Sequence, residues 1–139
     1  MYRHILIPTD GSEHSHEAIE HGIEIASTVG ATIHALSVYG EESGTIRRDQ
    51  LRADPEAEAE EAVEAVRELA TRAGVDSTGA VRPGQPHEEI LVYADEHPID
   101  AIVMGTHGRS GLENVLLGSV AEKIVQSSPV PVTTVRPDE

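Results

Sequence analysis

The sequence predicts an α/β fold: an open, all-parallel sheet of five strands with helices on both faces. Three observations carry this prediction. Short apolar runs rich in β-branched residues alternate with segments of helical period from one end of the chain to the other. Strands that alternate with helices imply crossover connections, and hence a parallel sheet covered on both sides. The 139 residues match a common size for one domain, and no linker, composition break or internal repeat divides 1–139.

Arg3–Pro8 is a short apolar run, expected as a buried first strand. Asp10-Gly11-Ser12 supplies turn chemistry and a helix N-cap. Ile19, Ile23, Ala26 and Val29 then recur at helical spacing until Gly30 stops the helix. Ala31–Tyr39 reads as the second strand, and Gly40–Ala53 as a long polar loop. Asp54-Pro55 opens the next helix, with proline where a missing N–H costs nothing. Its apolar stripe is Ala59, Ala62, Val63, Val66, Ala70 and Ala73. Val75–Arg82 is the most diluted strand. Pro86 starts a helix through Ile90, Leu91 and Ala94 that ends at His97-Pro98. Asp100–Met104 is a clear buried strand, followed by a glycine-punctuated segment. A helix with Val120, Ala121, Ile124 and Val125 and the strand Pro131–Arg136 complete the chain.

Composition narrows the function classes. The absence of cysteine excludes disulfides, thiolate metal sites and thiol catalysis, and fits a reducing compartment. The apolar run Ile5–Pro8 is too short for a signal h-region, and no stretch approaches the roughly 18 apolar residues of a membrane span. The expectation is a soluble cytoplasmic protein. Twenty-five acids against ten bases give a formal charge of −15, and Lys123 is the one lysine. Such a surface repels nucleic-acid backbones and anionic lipid, which argues against nucleic-acid and membrane partners. Two readings of the charge stay open: an acidic interaction tail, or adaptation to a salt-rich, halophilic cytoplasm in which self-repulsion is screened. The spread of the acids, the scarcity of lysine and the lack of Phe and Trp fit the second.

In open parallel sheets, ligands bind beyond the C-terminal strand ends. Two segments there carry unusual chemistry. Pro8-Thr9-Asp10-Gly11 follows the first strand; the stretch from Met104 to Val120 has glycines at 105, 108, 111 and 118. Glycine allows close backbone approach and φ > 0 conformations that aim several N–H groups one way. Gly118-Ser119 stands at a helix start, where free N–H groups and the dipole favour an anion. Ser119 also begins S-V-A-E, a capping box with Glu122, so its hydroxyl has a structural use as well. Asp10 is suited to accept hydrogen bonds from ribose hydroxyls. Together these describe a nucleotide, with sugar at Asp10 and phosphates at the glycine segment. Neither G-x-x-x-x-G-K-[ST] nor G-x-G-x-x-G occurs.

The spacing Gly105-x-x-Gly108, nine residues, then Gly118-Ser119 resembles the ATP-binding signature of the universal stress protein family. HILIPTDGSEHSHEAI resembles that family's first strand, loop and helix, and the stretch from Asp100 to Arg136 resembles its C-terminal third. The resemblance implies a Rossmann-like sheet in the order 3-2-1-4-5, as in adenine nucleotide alpha hydrolase-like folds. It implies that Pro8, Thr9 and Asp10 lie against the nucleoside, with Asp10 on the ribose and Val38 on adenine. By the same carry-over Met104 and Gly105 approach the sugar and α-phosphate. His107, Gly108 and Arg109 flank the phosphates, and Gly118, Ser119 and Val120 bind them. ATP or another adenine nucleotide, with Mg²⁺, is the implied ligand, and a homodimer through Pro131–Arg136 the implied assembly.

Catalytic signals are sparse. Ser110 sits in G-R-S-G and not in the G-x-S-x-G elbow. His14 and His16 are two apart, which on a helix puts them on different faces, so no metal site is expected. No residue is identified as a base for orienting water. The expectation is a nucleotide-binding stress-response module. A slow Mg²⁺-dependent ATPase or phosphotransferase, and a chaperone-like protein with a vestigial pocket, are the alternatives.

Overall fold

The computed structural model describes residues 2–40, 54–107 and 117–137. Residues 41–53, nearly all of the expected long loop, and Gly108, Arg109, Ser110 and Gly111 lie outside the described residues. The elements are β1 (His4–Pro8), a 3-10 turn (Glu13–Ser15), α1 (His16–Val29), β2 (Thr32–Tyr39), α2 (Pro55–Arg72), β3 (Ser77–Pro83), α3 (Pro86–Glu96), β4 (Ala101–Gly105), α4 (Ser119–Ser127) and β5 (Val132–Val135). The strands form one parallel sheet in the order β3-β2-β1-β4-β5. The expected fold class and strand order are those observed.

The strands are apolar at successive positions because both sheet faces are covered. Ile5 and Ile7 of β1, Ile33 and Ala35 of β2 and Val103 of β4 point to one face, where α1 and α2 supply Ile19, Ile23, Val63 and Val66. Leu6, Leu36, Ile102 and Met104 point to the other, against Ile90 and Tyr93 of α3 and Ile124 of α4. Period-two alternation thus sorts one apolar run into two cores. The helices change face between β3 and β4, at the point where the strand order reverses beside β1.

Local signals set most element ends. Asp54 caps α2 by accepting hydrogen bonds from the N–H groups of Glu56 and Ala57, with Pro55 in the first turn. A cap of this kind contributes about 1 kcal/mol. Ser12 was expected to cap the first helix. It precedes the 3-10 turn but makes no side-chain cap bond, and α1 proper begins at His16. Val29 and Val125 were expected in the apolar stripes, yet both are exposed, at 42 % and 47 %. Val29 is the last residue of α1, and Val125 follows buried Ile124 on the outer side of α4.

Ile102 is fully buried in the α3–α4 core. Ile102→Ala is expected to cost about 2–5 kcal/mol through lost transfer energy and the cavity left behind. Urea denaturation should read this as a lower midpoint with an unchanged m-value.

Candidate functional site

The reversal in strand order opens a crevice. The β1–β4 register runs Ile5↔Ala101 and Leu6↔Ile102. The β1–β2 register continues to Pro8↔Leu36, and β4–β5 continues to Gly105↔Val135. At their C-terminal ends β1 and β4 therefore keep their outer neighbours without pairing with each other. A cavity of about 510 Å³ sits there.

Its β1 side is built by short-range hydrogen bonds. The Thr9 N–H donates to the Leu36 carbonyl at 2.9 Å, which extends the β1–β2 ladder past the strand end. Thr9 Oγ1 accepts from the Gly11 N–H at 3.1 Å, and Asp10 Oδ1 accepts from the Ser12 N–H at 2.9 Å. Both are side-chain turns that Thr and Asp favour at such positions. Buried Thr9 and Ser15 hydroxyls meet at 3.2 Å, and Ser15 donates onward to the Ser12 carbonyl at 2.9 Å. Gly11 takes φ 80°, the left-handed region open to glycine, so the chain can turn with Asp10 on the cavity wall.

The opposite side comes from β4 and α4. The Gly118 N–H donates to the Thr106 carbonyl at 2.6 Å, drawing the start of α4 onto the end of β4. Gly105 and Gly118 do not use the positive φ expected of glycines in this segment; among the described residues only glycines 11, 30, 74 and 84 do. What Gly105 provides is close approach, since a Cβ there would stand 3.1 Å from the His14 carbonyl oxygen. Gly118, and not Ser119, is the N-cap of α4. The proposed Ser119–Glu122 capping box is therefore absent, and Ser119, at the first helical position, keeps its side chain off the cap. The N–H groups of Ser119, Val120 and Ala121 are the first-turn donors left without a partner in the helix. They give α4 an anion-accepting end.

Of the residues predicted from sequence, Pro8, Thr9, Asp10, Val38, Met104 and Gly105 line this one cavity. His107, Gly118, Ser119 and Val120 line it as well. Gly108 and Arg109 lie outside the described residues. Sequence reasoning missed Ser15, Leu36, Pro86, Ile90, Thr106, Leu117, Ala121 and Glu122, which share the lining. Leu36 was legible in principle, being two residues before Val38 on the same strand face. Pro86 and Ile90 were not, because only the crossover of α3 to this face brings them in. Chemically the cavity joins an apolar wall to a carboxylate at Asp10 and a helix N-terminus. It can hold a flat apolar ring, accept hydrogen bonds from hydroxyls, and receive an anion.

The family model described as the universal stress protein family matches residues 1–136. The chain belongs to that family. Among curated relatives, universal stress protein MJ0531 of Methanocaldococcus jannaschii is 37 % identical, over 98 % of this chain and 83 % of its own length. Universal stress protein YxiE of Bacillus subtilis is 31 % identical over 98 % of this chain and 100 % of its own. Among solved structures, that of the M. jannaschii protein MJ0577 superposes with a TM-score of 0.85 at 31 % identity, covering 100 % of this chain and 99 % of that one. UspA from Lactobacillus plantarum superposes at 0.83 with 26 % identity, over 97 % and 98 %. Among the described residues of this family member, no helix is long and apolar enough to cross a membrane. None of its described His, Asp and Glu residues form a group of three suited to a metal ion.

Thr9→Val keeps the shape of the side chain but removes the acceptor of the Gly11 N–H and one of the two partners of the Ser15 hydroxyl. We expect a loss of about 1–3 kcal/mol in chemical denaturation, the cost of stranding buried polar groups.

Proposed function

We propose that the chain is an adenine-nucleotide-binding regulatory module of the stress response, with ATP as the expected ligand. The observation that carries this reading is the cavity at the β1–β4 seam, with Asp10 on one side and the open first turn of α4 on the other. Its volume falls within the range of roughly 300–1,000 Å³ usual for small-molecule sites. Adenine lies against Val38 and the apolar wall, and Asp10 accepts from the ribose hydroxyls. Met104 and Gly105 border the sugar and α-phosphate, and the phosphates meet the N–H groups of Ser119 and Val120. Gly118 shapes this end but does not donate, since its N–H is already bonded to Thr106. His107, Gly108 and Arg109 flank the phosphates. Two structures of the same fold contain cAMP and dAMP, at 24 % and 20 % identity to this chain. They attest the fold alone, and the case for a nucleotide rests on this chain's own cavity.

Occupancy is the signal in this reading. Nucleotide binding orders the surrounding segments or the dimer, and cytoplasmic partners read that state. Dimerisation proceeds through β5, an edge strand whose outer backbone groups have no partner strand in the sheet. A second reading, slow Mg²⁺-dependent hydrolysis, is favoured by one observation: Glu122, in the first turn of α4, is among the residues that line the cavity. Mg²⁺ held mainly by phosphates would offset charge there. Under that reading Glu122→Gln lowers ADP release and leaves ATP affinity unchanged.

Calorimetric titration with ATP, ADP, AMP and cAMP in molar KCl tests the binding reading. Saturable 1:1 binding is expected, weakened roughly tenfold to a hundredfold by Asp10→Ala, as for loss of charge-assisted hydrogen bonds. A protein of formal charge −15 repels an anionic ligand. Affinity should therefore rise from 0.1 M to 1 M salt as that repulsion is screened. Absence of binding for all four nucleotides at millimolar concentration would overturn the proposal.

A further inference from the structure

On the α3 side of the sheet four rings form a connected polar cluster, with His34 and Tyr93 buried and His4 and His97 half-buried. His4 Nδ1 lies 3.0 Å from His34 Nε2, and His34 Nδ1 lies 2.7 Å from the Tyr93 hydroxyl. His97 stacks on the Tyr93 ring with centroids 3.8 Å apart and bonds the Tyr93 carbonyl through Nδ1 at 3.1 Å. His34 and Tyr93 are 6 % and 3 % exposed. The cluster does not line the ligand cavity but shares two elements with it, β2 and α3. His34 is two residues before Leu36 on the same face of β2, and Tyr93 is one helical turn after Ile90 on α3; Leu36 and Ile90 both line the cavity. It also spans 59 residues of sequence between β2 and α3, so it is a tie between the sheet and that helix.

The proton inventory of this tie is limited. A neutral imidazole has one N–H and one lone pair, so His34 receives one hydrogen bond and gives the other. The His4–His34 pair can carry one added proton and keep a donor facing an acceptor. A second would set two N–H groups against each other across 3.0 Å. Only Asp100 among the described carboxylates acts on the pair, as a longer-range attraction to His4. Among the described residues none lies within ion-pair distance of His4, His34 or His97. Asp100, near His4, accepts from the N–H groups of Arg3 and His4, and these bonds hold its carboxyl below the usual range. From β3, Arg82 stands 5.1 Å over the Tyr93 ring, bonded to Glu96 at 2.7 Å and 3.6 Å from Glu89. Burial keeps Tyr93 a phenol by raising its pKa, against the smaller opposing pull of Arg82. Burial, with His4 and His97 adding to it, lowers His34 to about 4.

We propose that the His4–His34–Tyr93 chain is an acid-sensitive latch that holds α3, and with it one wall of the cavity, against the sheet. Acidification charges the imidazoles, releases α3 and lowers the affinity of the cavity for its ligand. Only the last clause rests on the nucleotide reading; the release of α3 does not. The direction follows from proton linkage. The unfolded His34 side chain, near pKa 6.5, binds more protons than the folded one between pH 6.5 and about 4. The contribution is thus complete above pH 6.5 and is lost as pH falls toward 4.

The test compares wild type with His34→Leu/Tyr93→Phe, in which both partners of the buried bond are replaced by apolar groups. It uses hydrogen-exchange protection factors for α3 and α2, urea unfolding at pH 7 and pH 4, and ATP titration, all in molar KCl. In wild type the unfolding constant should rise up to about a hundredfold more across that range than in the double variant. Protection should fall first in α3, and ATP affinity should fall with it. Equal pH dependence in wild type and variant, or equal loss of protection in α2 and α3, would overturn the latch. Loss of α3 protection with unchanged ATP affinity would overturn its coupling to the cavity. If no nucleotide binds at any pH, the functional reading fails and α3 protection still decides the latch. Should the double variant not fold, His4→Gln removes one of the two facing imidazoles. It should shift the loss of α3 protection to lower pH, and an unchanged midpoint would count against the proposal.

Discussion

The structure depends on one seam, where β1 and β4 pair at Ile5 and Leu6 and then stop. Two constraints meet there. Right-handed crossovers put α1 and α2 on one face of the sheet, and the move from β3 to β4 puts α3 and α4 on the other. The chain must therefore leave β1 and β4 in opposite directions, and a crevice opens between them. Everything at the site follows from this divergence. The Thr9–Ser15 hydroxyl pair and the Asp10 turn fasten one lip, and the Gly118–Thr106 backbone bond fastens the other. Apolar residues of the α3–α4 face close the floor and walls.

Much of this was legible because it is encoded locally. Apolar runs in β1, β2 and β4 report burial on both faces, Asp54-Pro55 reports a helix start, and the glycine spacing marks the segment where backbone comes close. The family resemblance supplied the strand order, which residue patterns alone permit but do not specify. What escaped was encoded in tertiary geometry. Ile90 and Pro86 reach the cavity through the change of face between β3 and β4. The Tyr93–His34 bond joins residues with no pattern relating them. Ser119 looked like a cap because S-V-A-E has the right spacing, but the bond from Gly118 to Thr106 sets the helix start one residue earlier. Val29 and Val125 fit a helical period and are still exposed, since an apolar stripe does not reveal how far the neighbouring surface extends.

The same α3 helix links the cavity to the buried rings. Its N-terminal turn lines the cavity through Pro86 and Ile90, and its C-terminal half carries Tyr93 and the Glu96 that holds Arg82. A wall held to the sheet through a few polar contacts yields more readily than one held by apolar packing alone, because charging both facing imidazoles sets two N–H groups against each other. The formal charge of −15 acts in the other direction, since self-repulsion opposes the compact state and repels an anionic ligand until salt screens it.

The central claim is that the β1–β4 cavity holds an adenine nucleotide, and a crystal structure of protein purified in molar salt without added nucleotide tests it most directly. The account predicts nucleotide density in the cavity, with ribose hydroxyls within hydrogen-bond distance of Asp10 and phosphate oxygens on the N–H groups of Ser119 and Val120. A cavity that stays empty even after soaking with millimolar ATP, or a nucleotide bound elsewhere on the surface, would contradict it.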